Sequence, residues 1–358
     1  MSHVCLAFCL ALVSALLCVA VAHAQDAGPA DRPGKFNVGF TILDFKYGDG
    51  DAEKTITVAV WYPTDAEPRE YSYGGPAKGR VALDAEPRAE GGPFPFLAWS
   101  HGYGGGGTAS VFFTESLAGH GWIVAAPDHG DRHTAIRSRI GPVKDFDKQA
   151  LLRHATEISR SGPADREPYL YRVNELKIVL DGMTGSEKFG KLIDQDRTAV
   201  GGHSFGGFTS LGLCGALPDR KDERIKAVLV FSSGAAGYLY EDKELAAVKM
   251  PSMYFLGENE KETLRGDKTM AEIAGKVYGN MSPPKYFLEI QGASHFSFNN
   301  RFVDTPGSRL LSGTEEQFDV IRRYAIAFLE KHVAGKAEAG KTLDEKDPLL
   351  TRYAADAK

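Results

Sequence analysis

Between residues 94 and 290, short apolar runs alternate with longer amphipathic stretches. Phe94–Ser100, Trp122–Ala126, Thr198–Gly201, Ala227–Phe231, Met253–Leu256 and Tyr286–Ile290 are short, apolar and mostly bounded by Gly, Pro or charge. Such runs suit strands covered by helices on both faces. Between and after them, Ala109–Ala118, Tyr169–Asp181, Phe208–Leu217, Asp267–Tyr278 and Gln317–Val333 predict helices. In the second of these, Val173, Leu176, Val179 and Leu180 form an apolar stripe, and Tyr171, Asn174, Ile178 and Asp181 share another. Upstream, Phe36–Phe45 and Thr55–Tyr62 alternate apolar and polar residues, as half-buried antiparallel strands do, and Pro63 ends the second. The pattern predicts an α/β fold: a doubly wound, mostly parallel sheet with antiparallel N-terminal edge strands.

Four segments fall outside the alternation. Residues 64–92 are rich in Pro, Gly and charge and read as a surface loop. Residues 134–168 are charged and broken by Pro142, Pro163 and Pro168. An insertion there is placed to act as a lid over the sheet's C-terminal edge, or to be a plain solvated excursion. Residues 25–35 read as a linker and 335–358 as a loosely held polar tail, leaving one domain over 36–334.

The N-terminus differs from the rest. Val4 to Ala22 is almost continuously apolar, residues 1–24 contain no Asp, Glu, Lys or Arg, and the run ends in Ala22-His23-Ala24. This reads as a cleaved export signal over 1–24, which implies a secreted or periplasmic protein with no stable membrane span after cleavage. An uncleaved anchor is the alternative, since the run is long enough to span a bilayer and lacks the usual basic residue. Leu17 is too bulky for a lipoprotein site at Cys18. Three of the 4 Cys lie in this segment, so Cys214 has no internal disulfide partner after cleavage and reads as a buried small hydrophobe.

Candidate chemistry centres on Gly202-His203-Ser204-Phe205-Gly206-Gly207, a G-x-S-x-G string between the strand Thr198–Gly201 and the helix Phe208–Leu217. A strand–turn–helix with Ser at the apex is the setting of a nucleophile elbow, where a sharp turn demands small flanking residues. The helix N-terminus then directs free N–H groups toward a developing oxyanion. A second Gly-rich segment, Ser100-His101-Gly102-Tyr103-Gly104-Gly105-Gly106-Gly107, follows the strand Phe94–Trp99. Segments of this kind supply a backbone donor to an oxyanion hole. The two donors are assigned to the amides of Tyr103 and Phe205; losing one such donor costs on the order of 3–4 kcal/mol of transition-state stabilisation. The run lacks the P-loop Lys, and no ribose-binding acid follows, so a nucleotide cradle is disfavoured.

In such folds the acid and then the His follow the Ser in chain order. Only His295 and His332 come later than Ser204. His295 lies just past the strand Tyr286–Ile290, at the sheet edge where ligands bind, whereas His332 ends an amphipathic helix. His295 is therefore the expected base. For the acid, Gly257-Glu258-Asn259-Glu260 follows the strand Met253–Leu256. Glu260 fits the Gly-x-x-acid spacing and Glu258 is the alternative. A further cluster, Pro127-Asp128-His129-Gly130-Asp131-Arg132-His133, raises a metal reading, but Gly130 and the preceding strand make helical His spacing doubtful. These groups read instead as hydrogen-bonding partners of the loops around the site, with Asp131–Arg132 a candidate ion pair. No metal or cofactor is expected.

Composition narrows the classes. Hydrophobic residues at 43% and charged residues at 25% allow a sizeable core. A net charge of −5 with no basic run gives no electrostatic footprint for nucleic acid.

Ser100–Gly104, Leu117–Ala126 leading to Asp128–Arg132, and Gly202–Gly207 together resemble the platelet-activating-factor acetylhydrolase family and its bacterial dienelactone-hydrolase-like relatives, over residues 36–330. The resemblance implies an α/β-hydrolase fold and a Ser–His–acid esterase that needs no metal. The mammalian acetylhydrolases place their acid after the strand matching Ala227–Phe231, where Ser232-Ser233-Gly234-Ala235-Ala236 offers none. Gly257–Glu260 and Gly292–Phe296 look more like the bacterial cutinase and polyester-hydrolase group, with Glu260 where those enzymes usually carry Asp; that group lacks the long 134–168 insertion. The expected function is hydrolysis of a small or lipid-like carboxylic ester through an acyl-enzyme. The alternatives are a cutinase-like polyester hydrolase, a phospholipid acetylhydrolase, a serine peptidase or amidase, and a non-catalytic binding protein on this scaffold.

Overall fold

A computed structural model describes residues 34–74, 77–261, 263–265, 268–300 and 312–356. The export-signal reading of residues 1–24, and most of the 25–35 linker, lie outside the described residues.

The apolar runs pair into one eleven-stranded sheet. In chain order its strands are β1 (Asn37–Tyr47), β2 (Lys54–Thr64), β3 (Arg69–Ser72), β4 (Lys78–Leu83), β5 (Phe94–Ser100), β6 (Ile123–Pro127), β7 (Ile193–His203), β8 (Ile225–Phe231), β9 (Ser252–Gly257), β10 (Lys285–Ile290) and β11 (Leu350–Asp356). Their order across the sheet is β11-β10-β9-β8-β7-β5-β6-β2-β1-β4-β3. The central strands β6, β5, β7, β8, β9 and β10 run parallel. Antiparallel pairs β2–β6 and β1–β2 carry the N-terminal side. This is the doubly wound, mostly parallel sheet that the alternation predicts.

Every residue of β5 is buried. Its successive side chains point to opposite faces. Leu97 and Trp99 join one apolar cluster with helices α1 (Val111–Gly119) and α8 (Glu315–His332). Phe94, Phe96 and Ala98 join the other with α3 (Tyr171–Thr184), α4 (Phe205–Leu211) and α7 (Met270–Asn280). Two covered faces are the reason the central strands read as continuous apolar runs.

Two segments depart from expectation. Residues 64–92 are not only a loop, because β3 and β4 pair with each other and β4 lies beside β1. Phe40 of β1 meets Tyr71 and Tyr73, and the Trp61 indole N–H donates to the Tyr73 hydroxyl at 2.9 Å. These aromatic contacts outweigh the Pro- and Gly-rich composition. Residues 335–358, expected as a loosely held tail, include the short helix α9 (Gly340–Asp344) and β11, which pairs antiparallel with β10. Leu350 is buried, and the Tyr324 hydroxyl donates to the carbonyl of Glu345, so the last described segment caps the edge of the sheet.

The 134–168 segment holds a two-stranded ribbon, Ile136–Arg137 with Gly141–Pro142, and helix α2 (Lys148–Arg160). Asp147 caps this helix through Ala150 N–H. Leu151 packs on the Gly-rich loop so closely that a Cβ on Gly104 would lie 2.1 Å from its Cδ1. The Tyr103 hydroxyl bonds to His154 Nδ1.

Candidate active site

Ser204 stands at the end of β7 and directly before α4, at φ 55° and ψ −119°. That backbone region is costly for a residue with a Cβ, by about 1–3 kcal/mol. It is held by the Ser204 N–H, which donates to the carbonyl of Phe231 at 2.8 Å. The turn is tight enough that a Cβ on Gly206 would sit 1.9 Å from the Ser100 carbonyl oxygen, and one on Gly202 would sit 2.5 Å from Gly206. The glycines let β7 and α4 approach at this angle. The helix begins at Phe205, three residues earlier than its apolar pattern suggests, so its first N–H lies beside the serine.

His295 begins a short 3-10 turn beyond β10, with its Nε2 2.9 Å from Ser204 Oγ. The His203 ring packs beside it, 4.8 Å between centroids, and His203 Nε2 lies 2.8 Å from the His295 carbonyl oxygen. The structure separates the two acid candidates. Glu260 is buried and its Oε2 lies 3.1 Å from His295 Nδ1, while its Oε1 accepts from Gly257 N–H at 2.8 Å. Glu258 points elsewhere and accepts from Gly292 N–H at 2.8 Å, tying together the segments that follow β9 and β10. A residue that sequence reasoning did not single out, Ser232, sits between Glu260 and His295. Its Oγ is 2.5 Å from Glu260 Oε2 and 2.6 Å from His295 Nδ1.

The Gly-rich loop lies across the serine from the base. A Cβ on Gly102 would be 3.1 Å from Ser204 Cβ. Gly104 N–H donates to Asp131 Oδ2 at 2.8 Å, and Gly107 N–H to Asp128 Oδ1 at 2.7 Å. The loop therefore cradles carboxylates of its own chain. Tyr103, the residue between Gly102 and Gly104, places its ring 6.1 Å from that of Phe205.

The Asp128–His133 cluster resolves into a buried network beneath this loop. Asp131 does not pair with Arg132 as the sequence suggested. Its two oxygens take Arg172 Nη1 at 2.7 and 2.8 Å, and both side chains are fully buried. A single guanidinium nitrogen spans the carboxylate, a charge-assisted contact that the fold supplies from α3 rather than from the neighbour in sequence. Arg172 also donates to the His101 carbonyl and to Thr209 Oγ1, and its guanidinium lies 4.9 Å from the Phe205 ring centre. His129 bridges Ser100 Oγ at 2.9 Å and Glu175 Oε2 at 2.7 Å. His133 stands apart from these groups, its ring 5.8 Å from that of His154.

These environments set protonation. Burial would raise the Asp131 carboxyl, but the Arg172 charge, aided by the Tyr171 hydrogen bond, brings it down to about 2. Burial, reinforced by Arg172, holds His101 and His129 well below their ordinary 6.5, so both are neutral. Burial raises the carboxyls of Glu175 and Asp128. The two imidazoles therefore contribute stability that is present above pH 6.5 and is lost as pH falls below it, because the unfolded chain takes up protons that the folded chain refuses. From pH 6.5 to 5.5 the pair removes at most about 2 kcal/mol, reduced by the opposite action of Glu175 and Asp128. Urea denaturation at the two pH values checks this; equal stability at both would contradict it.

With the geometry in place, comparisons with known proteins are informative. A family profile for platelet-activating factor acetylhydrolase, isoform II, matches residues 71–151. That stretch holds β5, the Gly-rich loop and the Asp128–His133 cluster. The chain is 24% identical to the platelet-activating factor acetylhydrolase of Canis lupus familiaris over 88% of this chain and 79% of that one. It is 23% identical to the enzyme of the same name from Cavia porcellus over 74% of this chain and 62% of that one. Among solved structures, a ferulic acid esterase from Streptomyces cinnamoneus superposes with a TM-score of 0.61 at 18% identity, covering 91% of this chain and 95% of that one. The chain has an α/β-hydrolase fold. It resembles the platelet-activating factor acetylhydrolases, and that similarity supports hydrolysis of ester bonds. Among its described residues, no helix is long and apolar enough to cross a membrane.

Proposed function

We propose that this hydrolase is an exported serine carboxylic-ester hydrolase that works through an acyl-enzyme on Ser204. The observation that carries the reading is Ser204 Oγ, on a strained backbone, 2.9 Å from His295 Nε2 with Glu260 3.1 Å behind the ring. His295 Nε2 takes the Ser204 proton as Oγ attacks the ester carbonyl. The oxyanion accepts hydrogen bonds from the amides of Tyr103 and Phe205, which are oriented before charge develops. As the tetrahedral intermediate collapses, the carbonyl–oxygen bond to the alcohol breaks and His295 returns the proton to the leaving alkoxide. Water then attacks the acyl-enzyme, gives its proton to His295, and releases the carboxylic acid while Ser204 regains its proton. Glu260 holds the Nδ1–H tautomer and offsets the imidazolium charge. The substrate is a small or lipid-like ester. Export rests on the apolar run of residues 4–22 and the Ala-His-Ala that follows it.

The two glutamates give the test. Glu260→Gln lowers kcat for p-nitrophenyl acetate by about 10³–10⁴-fold, as expected when the base loses its tautomer control. Glu258→Gln stays within about a factor of 3, because the exposed loop bond it removes lies outside the charge chain. Equal activity in the two variants overturns Glu260 as the acid. A matched ester and anilide pair separates this reading from a peptidase; faster turnover of the anilide contradicts it.

A further inference from the structure

Resting on the proposed Ser204–His295–Glu260 assignment, we propose that Ser232 is a positioning residue of the charge chain. Ser232 follows β8 just as Ser204 follows β7. Both residues have positive φ, 46° and 55°, and each N–H donates to a carbonyl of the neighbouring strand, Phe255 of β9 and Phe231 of β8. Ser232 is fully buried, so its hydroxyl is placed by the backbone and has no water to compete for it. A hydroxyl has one proton to donate and lone pairs to accept with. For His295 Nε2 to accept the Ser204 proton, Nδ1 must carry hydrogen. Nδ1–H then donates to Ser232 Oγ at 2.6 Å, and Ser232 Oγ–H donates to Glu260 Oε2 at 2.5 Å. The direct Nδ1 to Glu260 distance, 3.1 Å, is longer than either leg. Glu260 thus reaches His295 both directly and through the serine, with one polarity from carboxylate to imidazole.

The experiment uses the mature protein and two variants besides Ser204→Ala. Ser232→Ala and Ser232→Gly lower kcat by about 10- to 100-fold with KM little changed, the range for loss of an orienting partner. In both, the acidic limb of kcat/KM moves to lower pH, because the imidazolium loses an acceptor. Gly removes the positive-φ strain that Ala retains, so equal loss in the two assigns the effect to the hydroxyl. Wild-type kcat and pH profile in Ser232→Gly overturn the proposal. Ser204→Ala distinguishes the two levels. If it stays active, the underlying assignment fails; if it is dead while Ser232→Gly is fully active, only the role of Ser232 fails.

Discussion

Ser204→Ala is expected to lower ester hydrolysis by on the order of 10⁵–10⁶-fold, the scale seen when the nucleophile of such a unit is removed. Its folding stability should change by less than about 1 kcal/mol. The Ser204 side chain makes one hydrogen bond, to His295, and leaves no large cavity when shortened. What holds the turn is backbone: Ser204 N–H to Phe231, Gly207 N–H to Ser204, and the close approach of Gly202 to Gly206. A hydroxyl that contributes little to the fold, on a residue that strains it, is what a nucleophile requires. Parallel measurements of p-nitrophenyl acetate turnover and urea unfolding check both halves. A folded variant with ordinary turnover would contradict the nucleophile assignment.

Arg172→Met is the substitution with the largest expected effect on stability, about 3–5 kcal/mol of destabilisation. Met matches much of the volume, so the loss is electrostatic. Asp131 would remain fully buried with Tyr171 O–H and Gly104 N–H but without its counter-charge. The same change releases the His101 carbonyl and Thr209, which join the Gly-rich loop to α4. The expected kinetic consequence is a fall in kcat larger than any rise in KM, since the loop carries the proposed Tyr103 donor. Adding Asp131→Asn should recover part of the stability, because a neutral amide tolerates the missing guanidinium. Thermal or urea unfolding of the single and double variants gives the comparison; additive losses would contradict the pairing.

The candidate site was legible wherever its residues followed a strand end in sequence. The elbow is a local string with an apolar run before it, and the structure places its serine at the sheet's C-terminal edge. His295 and Glu260 stood out because few polar residues of the right type follow β10 and β9. The structure brings both to Ser204, while Glu258, two residues away, turns to Gly292. Ser232 gave no signal, since its contacts reach 28 residues to Glu260 and 63 to His295 and Ser-Ser-Gly is an ordinary loop composition. Arg172 was hidden for a related reason. An arginine on a helix reads as solvated, and its partner Asp131 lies 41 residues away, so nothing local marks it as buried. For β3, β4 and β11, composition misled: a few aromatic or alternating residues decide the pairing, and Pro, Gly, Lys and Asp around them look like loop.

The most direct measurement is mass spectrometry of the protein after reaction with a fluorophosphonate at neutral pH, read as intact mass and then as peptides. The account predicts one adduct per chain, on Ser204, formed in step with loss of esterase activity and abolished in His295→Ala. Full esterase activity in protein that takes up no label, or an adduct on another residue accompanying inactivation, would contradict it.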